Sequence, residues 1–105
     1  MAVTQDKETA LVERFTYAAI AEAGRLLDEG IASAKDIDLA MRAGAGLKTG
    51  PLEQADEIGL DAVLATLRRL YATHGENYKP SATLEQLVGK GALGKKTGRG
   101  FLEYS

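Results

Sequence analysis

The 105 residues include no cysteine, no tryptophan, one histidine and two prolines, and each scarcity excludes something. Without cysteine there is no disulfide framework and no thiolate metal site, and a single histidine, His74, rules out the usual multi-histidine metal clusters. No metal is therefore expected. No apolar run approaches the ~20 residues of a membrane span, and the opening stretch from Met1 to Arg14 is too polar and too mixed in charge for a signal peptide. The expectation is a cytoplasmic protein without a membrane partner. A strong basic excess is also missing, the formal net charge being −2. Residues 1–63 hold twelve acids and six bases, residues 64–105 three acids and seven bases. That asymmetry is too weak for a nucleic-acid binder, which is normally basic overall. The cluster Lys90, Lys95, Lys96 and Arg99 reads as a solvated turn, with phosphate the natural ligand should it hold an anion.

Helical periodicity fills most of the chain. From about Asp6 to Glu29, Val12, Phe15, Ala19, Ala23 and Leu26 recur at the three-and-four spacing of a helix face. A second line, Tyr17, Ile20, Gly24 and Leu27, runs beside the first. The stripe is wide enough for two partners, the domain's own core and something else that the helix alone does not identify. Gly30 is placed to end this helix. Ser33 reads as the cap of a second helix with Asp36 in its first turn and Ile37, Ala40 and Met41 on its buried side. Gly44 and Gly46 stop it. Gly50-Pro51 opens a third, since proline at the first helical position loses no hydrogen bond, and Gly59 closes it. Asp61 is read as the cap of a fourth, which carries Val63, Leu64, Leu67, Leu70 and Tyr71 and ends at His74-Gly75. Lys79-Pro80-Ser81 is a turn, Thr83 to Gly89 a last helical piece, and strand-like alternation is confined to the tail. Several helices joined by short loops predict a compact all-α domain, residues 11–105 behind a polar lead-in of residues 1–10.

The motifs that could carry chemistry have simpler readings beside them. Gly44 to Gly50 imitates a dinucleotide fingerprint, but that fingerprint must follow a strand, and Ile37 to Arg42 reads as helix. Gly89 to Lys95 imitates a phosphate loop, but Lys96 stands where a Ser or Thr for Mg²⁺ belongs. His74 has the chemistry of a general base, yet a histidine before a glycine cap also suits the negative end of a helix dipole. Asp36 with Asp38, and Asp56 with Glu57, are not at the spacing that brings helical side chains together. They read as solvated faces or helix-start charges. No nucleophile-base pair is legible.

The order of short motifs says more. Arg14, then Leu26-Leu27, Glu29-Gly30-Ile31-Ala32, Asp36-Ile37-Asp38-Leu39-Ala40-Met41, Gly44-Ala45-Gly46 and Gly50-Pro51-Leu52-Glu53 follow one another at particular spacings. Asp56-Glu57-Ile58-Gly59-Leu60-Asp61, Tyr78-Lys79-Pro80-Ser81 and Gly94-Lys95-Lys96-Thr97-Gly98-Arg99-Gly100-Phe101 continue the series. Together they resemble the C-terminal domain of the 3-hydroxyacyl-CoA dehydrogenases over about residues 11–104. The resemblance implies a helical domain similar to the C-terminal domains of 6-phosphogluconate dehydrogenase-like enzymes, one that forms a subunit interface and closes over acyl-CoA in fatty acyl-CoA oxidation. It implies that NAD and the catalytic His-Glu pair belong to a separate dinucleotide-binding partner, so that this chain holds no cofactor and is not active alone. Glu13, Arg14, Gly46, Gly50 and Pro51 become the substrate-side or interdomain candidates, and a homodimer through Tyr17, Ile20, Gly24 and Leu27 is expected. One residue departs from the pattern. The family has Asn where this chain has Glu13; an amide donates to a substrate oxygen, whereas a carboxylate only accepts and repels a developing alkoxide. Two functions stay open: the helical part of a split dehydrogenase, or an acyl-CoA- or protein-binding module that kept the fold and lost the reaction.

Overall fold

The computed structural model describes residues 4–104. Five α-helices follow in order: α1 Gln5–Asp28, α2 Ala34–Gly44, α3 Pro51–Ile58, α4 Leu60–His74 and α5 Ala82–Gly89. Single 3₁₀ turns lie at Glu76–Tyr78 and Lys95–Thr97. The all-α expectation holds, and among the described residues no helix is long and apolar enough to cross a membrane. Residues 1–3 of the expected lead-in fall outside the described residues, while residues 5–10 belong to α1 behind its Thr4 cap.

Local chemistry sets the boundaries. The Ser33 and Ser81 hydroxyls accept from the amides of Asp36 and Leu84, each satisfying an otherwise free donor at a helix start. At the end of α1, Gly30 takes φ +71, and Ile31 N–H reaches back to Leu26 O, closing the helix as a Schellman turn. Pro51 stands in the first turn of α3 as expected. Asp61, by contrast, does not cap α4: that position is Gly59, and Asp61 lies within the first turn. The tail forms no strand; its extended residues make two isolated antiparallel bridges, Gly94 with Arg99 and Arg99 with Glu103.

Two apolar clusters make the core. The larger joins Ile20 and Ala21 of α1 to Ala55, Leu60, Val63, Leu64, Leu67, Leu70, Tyr78 and Leu84; the smaller joins Ala23, Ile37 and Leu52. Phe101 of the tail packs against both. The expected core line on α1 holds only in its second half, where Ala23 is buried and Leu26 packs against the smaller cluster. Val12, Phe15 and Ala19, its first three residues, are exposed. Ile20 and Gly24 are buried, and Tyr17 and Leu27 pack against the clusters from the side. A Cβ on Gly24 would come within 2.6 Å of Ser81 Oγ, so its missing side chain makes room for the start of α5 and not for a second chain. Ile20 and Gly24 are therefore core residues of the chain and not a dimer contact, while Tyr17 and Leu27 are half-buried. Two adjacent apolar stripes have nearly the same periodicity, and periodicity does not reveal which of them faces home.

Candidate functional site

Burial in α1 begins only at Ile20, so the first half of the helix stands clear of the core. One side of this arm, Glu8, Thr9, Val12, Glu13 and Thr16, faces Gln54 of α3 across an open groove of about 740 Å³. On the next side Leu11, Arg14, Phe15 and Ala18 form a shallow cup over Tyr78. Phe15 is 78% exposed, the most of any large apolar side chain among the described residues. The Arg14 Nε–H donates to the Tyr78 hydroxyl at 3.1 Å and so ties the arm to the turn after α4. Glu13 does not stand free: its Oε2 lies 3.0 Å from Nη2 of Arg69 on α4. Glu13 and Arg14 thus occupy the rim between groove and cup, next to the exposed apolar side chains Leu11, Val12 and Phe15.

The other candidates separate. Gly46 lies in the exposed loop between α2 and α3 with open space around it. Gly50 and Pro51 are buried within the chain and cannot meet a substrate directly. They are corrected to structural residues, and the reason is Asp38. Its carboxylate, 1% exposed, accepts from the amides of Leu52 at 2.9 Å and Glu53 at 2.7 Å, capping α3 from α2. A Cβ on Gly50 would overlap that carboxylate, so the glycine-proline elbow is the receptacle of a buried aspartate.

The tail repeats the device at the other end of α3. Asp56, also 1% exposed, accepts from Phe101 N–H at 2.9 Å, Leu102 N–H at 3.0 Å and the Tyr104 hydroxyl at 2.6 Å. A Cβ on Gly100 would overlap the Asp56 carboxylate, and one on Gly94 would overlap the Asp56 backbone. Burial pushes the Asp56 carboxyl above the ordinary carboxylate range; the three donors pull the other way, and nearby Asp38 adds to the rise. Burial and the Asp56 carboxylate push the Tyr104 phenol far above its usual range, so it remains a donor at any working pH. The expectation that both acid pairs are solvated holds for Asp36 and Glu57 and is overturned for Asp38 and Asp56. A signal was present in the sequence: Leu52, Ala55 and Asp56 share one face of α3, and Asp38 sits beside Ile37 and three residues before Met41.

Asp28 is a third carboxylate used as a cap. It accepts from Ala82 N–H, Thr83 N–H and the Thr83 hydroxyl at the start of α5. Desolvation raises its pKa, but the bonds from Thr83 and Ala82 together outweigh it and hold the carboxyl below its ordinary value. In the basic cluster, Lys95 pairs with Glu53 and Glu57, and Lys96 with Asp61, which leaves half of the cluster neutralised. His74 is exposed at the end of α4 and tilts against Tyr78 at 6.0 Å between ring centroids. Among the described residues no group of three His, Cys, Asp or Glu is placed to hold a metal ion. The glycines from Gly44 to Gly50 connect two helices, not a strand to a helix, so they do not form the dinucleotide fingerprint they imitate.

The description of 3-hydroxyacyl-CoA dehydrogenase C-terminal domains matches residues 11–104. Over 102 residues the chain is 39% identical to the human mitochondrial hydroxyacyl-coenzyme A dehydrogenase, covering 95% of this chain and 32% of that protein. It is 40% identical over 105 residues to a 3-hydroxybutyryl-CoA dehydrogenase of Bradyrhizobium diazoefficiens, covering 99% and 36%. The crystal structure of (S)-3-hydroxybutyryl-CoA dehydrogenase from Ralstonia eutropha superposes with a TM-score of 0.82 at 42% identity, over 88% of this chain and 33% of that one. The chain spans about a third of the length of these relatives. With an all-helical body, the two glycine segments each built around a buried aspartate, and a match running from Leu11 to Tyr104, this chain belongs to the 3-hydroxyacyl-CoA dehydrogenase C-terminal domain family.

Proposed function

We propose that this chain is the substrate-side helical part of a 3-hydroxyacyl-CoA dehydrogenase and works with a partner that carries the dinucleotide-binding domain and NAD. The observation that carries the reading is the arm of α1. Its apolar residues Leu11, Val12 and Phe15 are uncovered beside the rim residue Glu13, and in longer relatives this domain is joined to further chain. An uncovered apolar stripe next to a fixed arginine suits a partner surface. The partner supplies hydride transfer and the base; this chain closes over the acyl-CoA and places a side chain at position 13 against the reacting oxygen. Fatty acyl-CoA oxidation in the cytoplasm is the setting. A homodimer also belongs to this reading, but with Ile20 and Gly24 buried it has to use exposed apolar residues such as Phe15 or Leu39.

A second reading is favoured by one contact. Glu13 held against Arg69 puts a charged pair where an amide would donate, which suits a binding module that has lost the reaction. The test mixes the chain with a 3-hydroxybutyryl-CoA dehydrogenase truncated to its NAD-binding domain and follows NADH. Little turnover is expected with the native chain, and a measurable gain with Glu13→Asn, because the amide can donate to the oxygen. Phe15→Glu should abolish complex formation with the partner while leaving the helical circular-dichroism signal unchanged. Full activity with Glu13 intact would overturn the reading of that substitution. Complex formation without turnover in either protein would establish the binding module.

A further inference from the structure

The tail is bonded mostly to itself. Gly94 N–H donates to Arg99 O, Gly100 N–H to Leu102 O, and Tyr104 N–H to Gly98 O. The Thr97 hydroxyl bridges the carbonyls of Gly94 and Arg99 and accepts from Leu93 N–H at its root. Among the described residues, the hydrogen bonds of the tail's backbone N–H groups to the helical body go to one group, the Asp56 carboxylate. The rest of the attachment is the half-buried Phe101 ring between the two clusters, the Tyr104 hydroxyl on the same carboxylate, and the exposed pairs of Lys95 and Lys96. A segment that keeps its own bonds on leaving, and is held to the body by one buried carboxylate, one half-buried ring and the pairs of two lysines, has the physical makeup of an independently opening unit.

We propose that residues 94–104 are a strap that opens and closes on an otherwise folded helical body, and that its closure on Asp56 sets the position of α3 and with it the groove beside Glu13. The link is α3 itself. It is eight residues long, Asp38 fastens its first turn, Asp56 fastens its last turn to the strap, and Gln54 between them forms the far wall of the groove. Opening the strap releases one of the two fastenings and unseats Phe101 from the seam between the clusters. Asp56 is thus a positioning residue that acts through Gln54. The consequence for substrate rests on the function proposed above; the opening itself does not.

Native-state hydrogen exchange tests the opening. The amides of Phe101 and Leu102 should exchange at least tenfold faster than those of Leu67 and Leu70 in α4. Tyr104→Phe should speed the strap amides by a further ten- to hundredfold, roughly the worth of one hydrogen bond to a charged group, with α4 unaffected. Trypsin should cut first after Lys96 or Arg99, and faster in the variant. The absence of native cysteine allows spin labels at Glu8→Cys and Gln54→Cys alone, and the distance between them reads the groove. A narrow distribution in the otherwise native chain that broadens with Tyr104→Phe supports the coupling. Strap amides that exchange only with global unfolding would overturn the proposal, as would an unchanged label distance once the strap amides are shown to open. Neither readout requires a partner or turnover, so failure here is distinct from failure of the enzymatic reading.

Discussion

Asp56→Asn should lower the stability of the chain by about 1–3 kcal/mol, the cost of leaving a buried donor without its acceptor. The carboxylate presents acceptors on both oxygens, to Phe101 N–H on one and to Leu102 N–H and the Tyr104 hydroxyl on the other. An asparagine keeps one oxygen and replaces the second with an amide that can only donate. The Tyr104 hydroxyl can turn to accept from that amide, but Leu102 N–H cannot turn, and two donors then face each other in a buried site. Urea unfolding of native and variant chains at pH 7 measures the difference. A midpoint unchanged by the substitution would show that the three bonds contribute nothing net.

The same group fixes a pH dependence. Burial raises the folded-state pKa of Asp56 above 3.8, so within that window the folded chain binds a proton more readily than the unfolded one. Its contribution to stability is fully present below 3.8 and is lost as pH rises through the folded value, the reverse of an ordinary salt-bridged aspartate. Tyr104 from the strap and Asp38 from α2 act on it directly, and Glu53 of α3 and Lys95 of the strap lie near Tyr104, Lys95 being paired with Glu53 and Glu57. The native-minus-variant difference in stability, followed from pH 4 to pH 7, should shrink toward neutrality. A difference that grows instead would place the Asp56 pKa below its unfolded value.

The fold was readable because helix boundaries depend on neighbours in sequence. Ser33, Gly30, Pro51 and Gly59 act within a turn of where they stand, and each is where the pattern placed it. The family was readable because short motifs in order are a linear property. What the sequence concealed is what depends on residues far apart. Asp38 acts on an amide fourteen positions away and Asp56 on one forty-six away; beside Asp36 and Glu57 each looks like half of a solvated pair. The exposure of Val12, Phe15 and Ala19 and the burial of Ile20 and Gly24 were concealed for the same reason, since the choice between the two lines of α1 is made by α4 and α5. Arg69, which holds Glu13 from α4 across fifty-six positions, carries no local mark. Arg14, beside Glu13, likewise reaches the Tyr78 hydroxyl sixty-four positions away.

The glycines give the sharpest separation between local and distant causes, because the same substitution should have opposite signs at two of them. At Gly89, in the last turn of α5, a Cβ meets open space, so Gly89→Ala removes backbone freedom from the unfolded chain and should stabilise by about 0.5–1 kcal/mol. At Gly50 the backbone, with φ −68 and ψ 155, accepts any residue, and local reasoning predicts a comparable gain. The Asp38 carboxylate prevents it. That group is buried and bonded to both Leu52 and Glu53, so a methyl on Gly50 either expels it or pushes α3 away from α2. Overpacking of this kind costs about 1–3 kcal/mol, and the lost cap adds about 1 more. Thermal melts of the two alanine variants should therefore move in opposite directions, Gly50→Ala down by several degrees and Gly89→Ala slightly up. If Gly50→Ala melted with the native chain or above it, Asp38 would not be held in the elbow, and the glycine there would need another cause.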